Sequence, residues 1–177
     1  MTIRPARRED AAAIAALHAA NWRQGYAGIL PGKYLAHEVE ADRLTVWQDR
    51  LSTSDDGRET LVSLDTAGAL AGFACVYHGH DPVHGAFLDN LHASAAHRGQ
   101  GHGLALFREI TRLVAARDPD SGLYLWVFEK NEDARAFYRK LGAREVERTD
   151  TQWALAMGEW RLRCRWTAEE LNAVAAG

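Results

Sequence analysis

Residues 86–117 carry the feature that most limits what this chain can fold into. A strand-like run, AFLDNLHA, meets the turn SAAHRGQG, and a long amphipathic pattern begins at Gly101. Gly99, Gly101 and Gly103 alternate with Gln100 and His102 directly after Arg98. Glycine weakens a helix by about 1 kcal/mol relative to alanine, so its use where a helix opens points to something approaching the backbone closely. The first amides of a helix lack intrahelical acceptors, successive turn amides form an anion nest, and a guanidinium suits phosphate. A pyrophosphate fits such a unit. Two nucleotide motifs fail on spacing. A dinucleotide fingerprint needs G-x-G-x-x-G, whereas Leu104 and Ala105 follow Gly103, and a Walker loop needs a Lys-Ser/Thr that is absent. Taken alone, the segment also reads as a structural tight turn.

The rest of the chain supplies alternating helix and strand patterns. Residues 2–4 read as a strand stopped by Pro5, and Asp10 precedes a helix with Ile14, Leu17, His18 and Asn21 on one face. NWRQGYAGILPGKYL reads as a loop and a short helix, and Val39, Leu44, Trp47 and Leu51 mark another helix. SDDG at 54–57 is a turn. Strands are expected over 59–65, 69–78 and 86–93, the first two joined by a hairpin at 65–68. Leu104, Phe107, Ile110, Leu113 and Val114 make the clearest helix, ended by DPDSG at 118–122. LYLWVF at 123–128 reads as a strand covered on both faces. Asn131 opens a helix with Glu132 and Asp133 in its first turn, and Gly142 closes it as C′. The tail alternates through Val146, Trp153, Leu155, Met157, Leu162, Cys164 and Trp166, which predicts two long antiparallel strands. These patterns describe one α/β domain over 1–177 with a mixed sheet.

A net charge of −3 gives no electrostatic case for nucleic acid or an anionic membrane. MTIRPARRED lacks the apolar core of a signal peptide, and no 18-residue apolar run exists, so the expected location is cytoplasmic. Cys75 and Cys164 are read as buried free thiols. His78, His80 and His84 cluster, but the Asp81-Pro82 turn among them favours a solvated or substrate-lining loop, and no metal is expected.

Three blocks lie together: R-x-x-G-x-G after an apolar strand, then L-x-L-W-V-F-E-x-N, then N-x-x-A-x-x-F-Y-x-x-L-G-A. They resemble the GNAT superfamily of acyl-CoA-dependent N-acetyltransferases. The matching residues are Arg98, Gly101 and Gly103, then Asn131, Ala134, Phe137, Tyr138, Leu141 and Gly142; the opening TIRPARREDAAAIAALHAANWRQGYAGILP also looks like the family's start. The resemblance implies a GNAT fold: one mixed, mostly antiparallel sheet splayed in a V, with helices on both faces. It implies acetyl-CoA between the strands 86–93 and 123–128, with its pantetheine arm on backbone at Leu91, His92 and Ala93. Its pyrophosphate would rest on Arg98, Gly99, Gln100, Gly101, His102 and Gly103. His102 stands where relatives usually carry an apolar residue; contact with a phosphate is one reading of its side chain, and the favoured expectation is that it faces water.

Asn131 and Tyr138 are seven residues apart, about two helical turns, and so lie on nearly one face. Asn131 is expected to cap its helix and to bond the cofactor arm, with Ala134 and Phe137 beside it. By resemblance Tyr138 is the general acid for the leaving thiolate; a phenol near pKa ~10 and a thiol near ~8.5 exchange a proton at little cost. Its alternative role is a core aromatic next to Phe137. A primary amine must lose a proton before it attacks. By resemblance Asp89 is the first candidate base. Many relatives carry Glu there, and the shorter Asp implies a water relay; an orienting or solvated role stays open. His92, which alternation places with Asn90 on the opposite face, is the rival base. In the family the first interhelical loop covers the acceptor, which makes Trp22, Tyr26 and Tyr34 candidate acceptor contacts.

The expected reaction moves the acetyl group of acetyl-CoA to a primary amine, of a small molecule or a peptide, in a ternary complex without an acyl-enzyme. A non-catalytic acyl-CoA sensor and an enzyme using another nucleotide at the glycine turn are the alternatives. Trp153, Trp160 and Trp166 are left to fill a sheet face or a homodimer contact.

Overall fold

A computed structural model describes residues 1–53, 55 and 57–176, so the turn expected at 54–57 lies in part outside the described residues. Seven strands, β1 Thr2–Pro5, β2 Arg58–Leu64, β3 Leu70–Asp81, β4 Gly85–Ala93, β5 Leu123–Phe128, β6 Arg144–Asp150 and β7 Trp160–Trp166, form one open sheet. Their order is β1-β2-β3-β4-β5-β7-β6. The β4–β5 pair is parallel, while β1–β2, β5–β7 and β6–β7 are antiparallel. The helices are α1 Ala11–Gly25, α2 Gly32–His37, α3 Val39–Ser52, α4 His102–Arg117, α5 Glu132–Lys140 and α6 Ala168–Ala176. The backbone groups into two compact units. One joins Met1–Cys75 to Asn90–Phe107; the other joins Val76–Asp89 to the chain from Arg108 on.

In the first unit the buried face of α1 (Ile14, Ala15, His18 and Ala19) belongs to a core with Trp47 of α3, Val62 of β2 and Phe73 of β3. Removing an apolar side chain of this size from water is worth roughly 1.5–3 kcal/mol, so this cluster dominates the unit's stability. Asp10 does not cap α1 through its side chain; it bonds Arg4 at 2.7 and 2.9 Å and the Arg7 amide at 2.7 Å, tying the helix start to β1. In the second unit Leu123, Leu125, Leu162, Cys164, Trp166 and Leu171 are buried, and Trp166 Nε1 donates to Leu141 O at 2.8 Å.

Three expectations change. Residues 22–25 continue α1 instead of starting a loop, because Tyr26 N–H closes one more turn on Trp22 O at 2.9 Å and Trp22 is buried. β3 runs on to Asp81, whose Oδ1 accepts the amides of Val83 and His84 and so confines the reversal to a few residues. In the tail, Trp153 stands between β6 and β7, and α6 follows β7. Thr167 and Glu170 open α6 as a reciprocal cap, the Thr167 amide donating to Glu170 Oε2 at 2.7 Å and the Glu170 amide to Thr167 Oγ1 at 3.3 Å.

Candidate functional site

In the first unit, β4 ends at Ala93 and a short turn leads into α4. Gly99 and Gly101 adopt φ of +79° and +84°, a region that other residues enter only with strain. Among the described residues a Cβ on Gly99 would meet no atom within 4 Å, and one on Gly101 would meet only Met1 Cε at 4.0 Å. Gln100 N–H bonds His97 O at 3.2 Å and Ala105 N–H bonds Gly101 O at 2.9 Å. The amides of Gly101 to Leu104 then have no backbone acceptor among the described residues, and they gather at the positive end of a 16-residue helix. Arg98 and Gln100 are exposed beside them, with Arg98 NH2 3.4 Å from Gln24 Oε1. Unpaired amides at a helix N-terminus beside an arginine are the chemistry that suits a phosphate-like anion, and the residues present fit that group.

His102 differs from its expectation. Its side chain does not face water: it is 4% exposed, with Nδ1 2.7 Å from Ser63 Oγ of β2 and its ring T-shaped to His97 at 5.3 Å. His97 Nε2 lies 3.3 Å from Asp65 Oδ2 in the β2–β3 turn. As the first residue of α4, His102 sends its side chain down into the protein while its amide stays at the helix mouth. The two imidazoles anchor the glycine turn from below.

At the end of β4, Asn21 Nδ2 donates to Ala93 O at 3.0 Å and lies 3.4 Å from His92 Nδ1. The His92 ring stacks on Phe73 at 5.0 Å and lies 4.6 Å from His18. Burial pulls the His92 pKa down to about 4, so the ring is neutral near pH 7 and a weak acceptor for an ammonium proton. His18 is lowered too, well below the usual imidazole value, by burial and then by nearby His92, Arg43 and Arg50. Its Nδ1 accepts from Trp47 Nε1 at 3.0 Å.

In the second unit, Leu88 is buried while Phe87 and Asp89 are half-buried, as strand alternation demands. β4 pairs with β5 at Ala86–Leu123 and Phe87–Tyr124, and the Phe87 and Tyr124 rings stack at 5.1 Å. Two residues further on each strand, Asp89 and Trp126 point to that same face. Asn131 Oδ1 accepts from Ala134 N–H at 3.3 Å and caps α5, as its position before Glu132 and Asp133 requires. Ala143 N–H bonds Tyr138 O and Gly142 N–H bonds Arg139 O, both at 3.0 Å, closing α5 through Gly142. Tyr138 is half-buried, its ring T-shaped to Phe137 at 5.5 Å and to Trp166 at 6.2 Å.

The aromatic acceptor candidates are unequal. Trp22 is 9% exposed, with Arg43 over its ring at 4.4 Å, and Tyr34 is 7% exposed, its hydroxyl donating to Asp42. Burial and Asp42 push the Tyr34 pKa up to about 12, so it stays a phenol. Tyr26 is half-buried against Trp22 at 5.4 Å. His80 Nδ1 lies 2.6 Å from Tyr124 Oη, which gives that histidine a structural partner. Among the described residues no group of three or more His, Cys, Asp and Glu is placed to hold a metal ion. Cys75 and Cys164 are buried and not joined in a disulfide. No helix among the described residues is long and apolar enough to cross a membrane.

Ser63 and the arginines of β7 escape a reading of the sequence, and Asn21 is read there only as part of the α1 face, without its bond to the end of β4. The polar side chains on the buried stripe of α1, and the alternation Arg161, Arg163, Arg165, are the signals that mark them.

A family model described as the acetyltransferase (GNAT) family matches residues 19–143. A probable N-acetyltransferase of Mycobacterium tuberculosis is 29% identical over 138 residues, covering 78% of this chain and 76% of that protein. The crystal structure of the PaiA N-acetyltransferase from Thermoplasma acidophilum in complex with coenzyme A superposes with a TM-score of 0.72 at 18% identity, over 93% of this chain and 98% of that one. A variant of the spermidine N-acetyltransferase SpeG from Vibrio cholerae gives 0.70 at 16% identity, over 96% and 95%.

Proposed function

The chain belongs to the acetyltransferase (GNAT) family and is an acyltransferase, and from that premise we propose that it transfers the acetyl group of acetyl-CoA to a primary amine by direct attack in a ternary complex. The observation that carries this reading is the opening turn of α4, where the amides of Gly101 to Leu104 have no backbone acceptor among the described residues and no described atom lies within 4 Å of where a Gly99 Cβ would be. There Gly99 to Gly103 hold the pyrophosphate, with Arg98 as the neighbouring cation. The backbone of Leu91 to Ala93 and the side chain of Asn131 orient the pantetheine arm, beside Ala134 and Phe137. Acetyl-CoA supplies an activated acyl group on a thioester sulfur.

The protein's own residues move two protons. Asp89, directly or through one water, takes the proton that the ammonium must lose, and His92, neutral and hard to protonate, is left to hold the end of β4. The Tyr138 hydroxyl gives a proton to the departing thiolate, and its phenolate regains one from the attacking nitrogen, which sheds its second proton as the amide forms, so that an amide and a neutral thiol leave the site. Cys164 takes no part as a nucleophile, since burial raises its pKa to about 12. The acceptor is a small-molecule or peptide amine, and the whole chain acts as one acyltransferase domain.

The test is thiol release from acetyl-CoA across an amine panel, for the wild type and Tyr138→Phe. The expected result is a fall in kcat of about 100-fold with the KM for acetyl-CoA within roughly twofold. Undiminished turnover would remove Tyr138 from its role, and acetyl-CoA binding without thiol release on any amine would remove the reaction.

A further inference from the structure

The face of β7 opposite the buried Leu162, Cys164 and Trp166 carries Arg161, Arg163 and Arg165. Their partners across β5 are Phe128, Trp126 and Tyr124. Arg163 stands opposite Trp126 with its guanidinium carbon 4.5 Å from the indole centroid. Arg161 sits one pair further along and reaches back to 4.3 Å from the same ring. The two cations are not equally compensated. Arg163 has Glu147 at 2.8 Å and Asp81 at 3.8 Å. Arg161 has no carboxylate within salt-bridge distance among the described residues, and its Nε is buried without a hydrogen-bond partner. A guanidinium held over an indole, beside a second cation and short of an acceptor, favours an anion with two oxygens in one plane.

Asp89 shares this face, two residues beyond the Phe87–Tyr124 pair as Trp126 is. β4 pairs with β5 at Ala86–Leu123 and Phe87–Tyr124, and at that level, with β5 between them, the backbones of β4 and β7 are about 10 Å apart. An arginine lying over Trp126 spans part of that distance. A small molecule that carries both an amine and a carboxylate matches the two opposite charges on this face, its amine toward Asp89 and its carboxylate toward Arg161.

We propose that the acceptor is an amino acid, an amine bearing a carboxylate, and that Arg161, stacked on Trp126, selects it by binding that carboxylate. This rests on the acyl-transfer reading above. A polyamine of the kind named for the Vibrio cholerae protein would instead bring a second cation against Arg161 and Arg163.

The test measures thiol release with pairs of amines that differ only in the carboxylate: tryptophan and tryptamine, lysine and cadaverine, alanine and ethylamine. In the wild type the carboxylate-bearing member of the preferred pair is expected to have a kcat/KM at least about tenfold higher. Arg161→Gln is expected to cut that value roughly 10- to 100-fold, leaving the partner amine and the KM for acetyl-CoA within about twofold. Arg161→Lys, which keeps the charge without the planar fork, is expected to retain part of the preference. It also supplies the reading if the glutamine variant fails to fold by circular dichroism. Equal turnover within every pair, or a preference that survives both substitutions, overturns the proposal. So does an equal loss for both members with a raised KM for acetyl-CoA, which would assign Arg161 to the cofactor's phosphates. Thiol release on indifferent amines sinks only this inference, whereas no release on any amine sinks the acyl-transfer reading and this one with it.

Discussion

The indole N–H of Trp47 donates to Nδ1 of His18 at 3.0 Å, and that bond decides where the imidazole keeps its proton. An indole nitrogen only donates, so Nδ1 must accept, and the neutral ring carries its hydrogen on Nε2. Trp47→Phe removes the donor, leaves Nδ1 buried without a partner and opens a small void. We expect a loss of about 2–4 kcal/mol in urea unfolding. Adding His18→Leu should cost less than the sum of the two single changes, because an apolar pair needs no hydrogen bond. Strict additivity would show that the bond contributes nothing.

Histidine protonation sets a pH window for stability. The unfolded chain binds a proton at His92 near pH 6.5, whereas the folded chain binds it near 4, and the shift at His18 has the same direction. Between those values the unfolded state holds more protons, so stability falls as pH drops from 6.5 toward 4. Asp10, held low by its bond to Arg4, acts only below that range. Denaturant unfolding followed against pH should show the decline in the wild type and a flatter slope in His92→Gln. A decline confined below pH 4 would mean that the imidazoles carry none of it.

The glycine turn separates strain from binding. Gly101 and Gly68 have φ of +84° and +83°, and neither Cβ would come closer than 4.0 Å to a protein atom. Alanine at either position should cost a similar 1–2 kcal/mol or so of backbone strain. Only Gly101→Ala is expected to weaken acetyl-CoA binding, by about tenfold or more in calorimetry, since only it lies at the helix mouth. Equal affinities for the two variants would take the pyrophosphate away from that turn.

How much of this was legible in the sequence depended on how local each cause is. The cap at Asn131 and the Gly142 end made α5 readable, because everything that bounds it lies within a dozen residues. β5 was readable as an unbroken apolar run. His102 was not. Its surroundings in sequence are glycine-rich and polar, but its burial is set by Ser63, 39 positions away. The pairing of Arg161 with Trp126 depends on the β5–β7 register, which no single stretch encodes. α6 was a different kind of miss, since Thr167 and Glu170 are a local signal that the alternation through Trp166 concealed.

At the base of β4, the Ala86 amide bonds Gly122 O at 2.9 Å, and a Cβ on Gly85 would fall 2.2 Å from that same oxygen. A Cβ on Gly122 would fall 2.8 Å from Trp166 O and 3.0 Å from His84 O. Backbone sits against backbone here, with no side chain free to yield. The seating of β4 on β5 is therefore a main-chain contact: a single methyl at either glycine has nowhere to go unless the two strands part, so the side chains beyond Phe87 can change while this frame stays where it is.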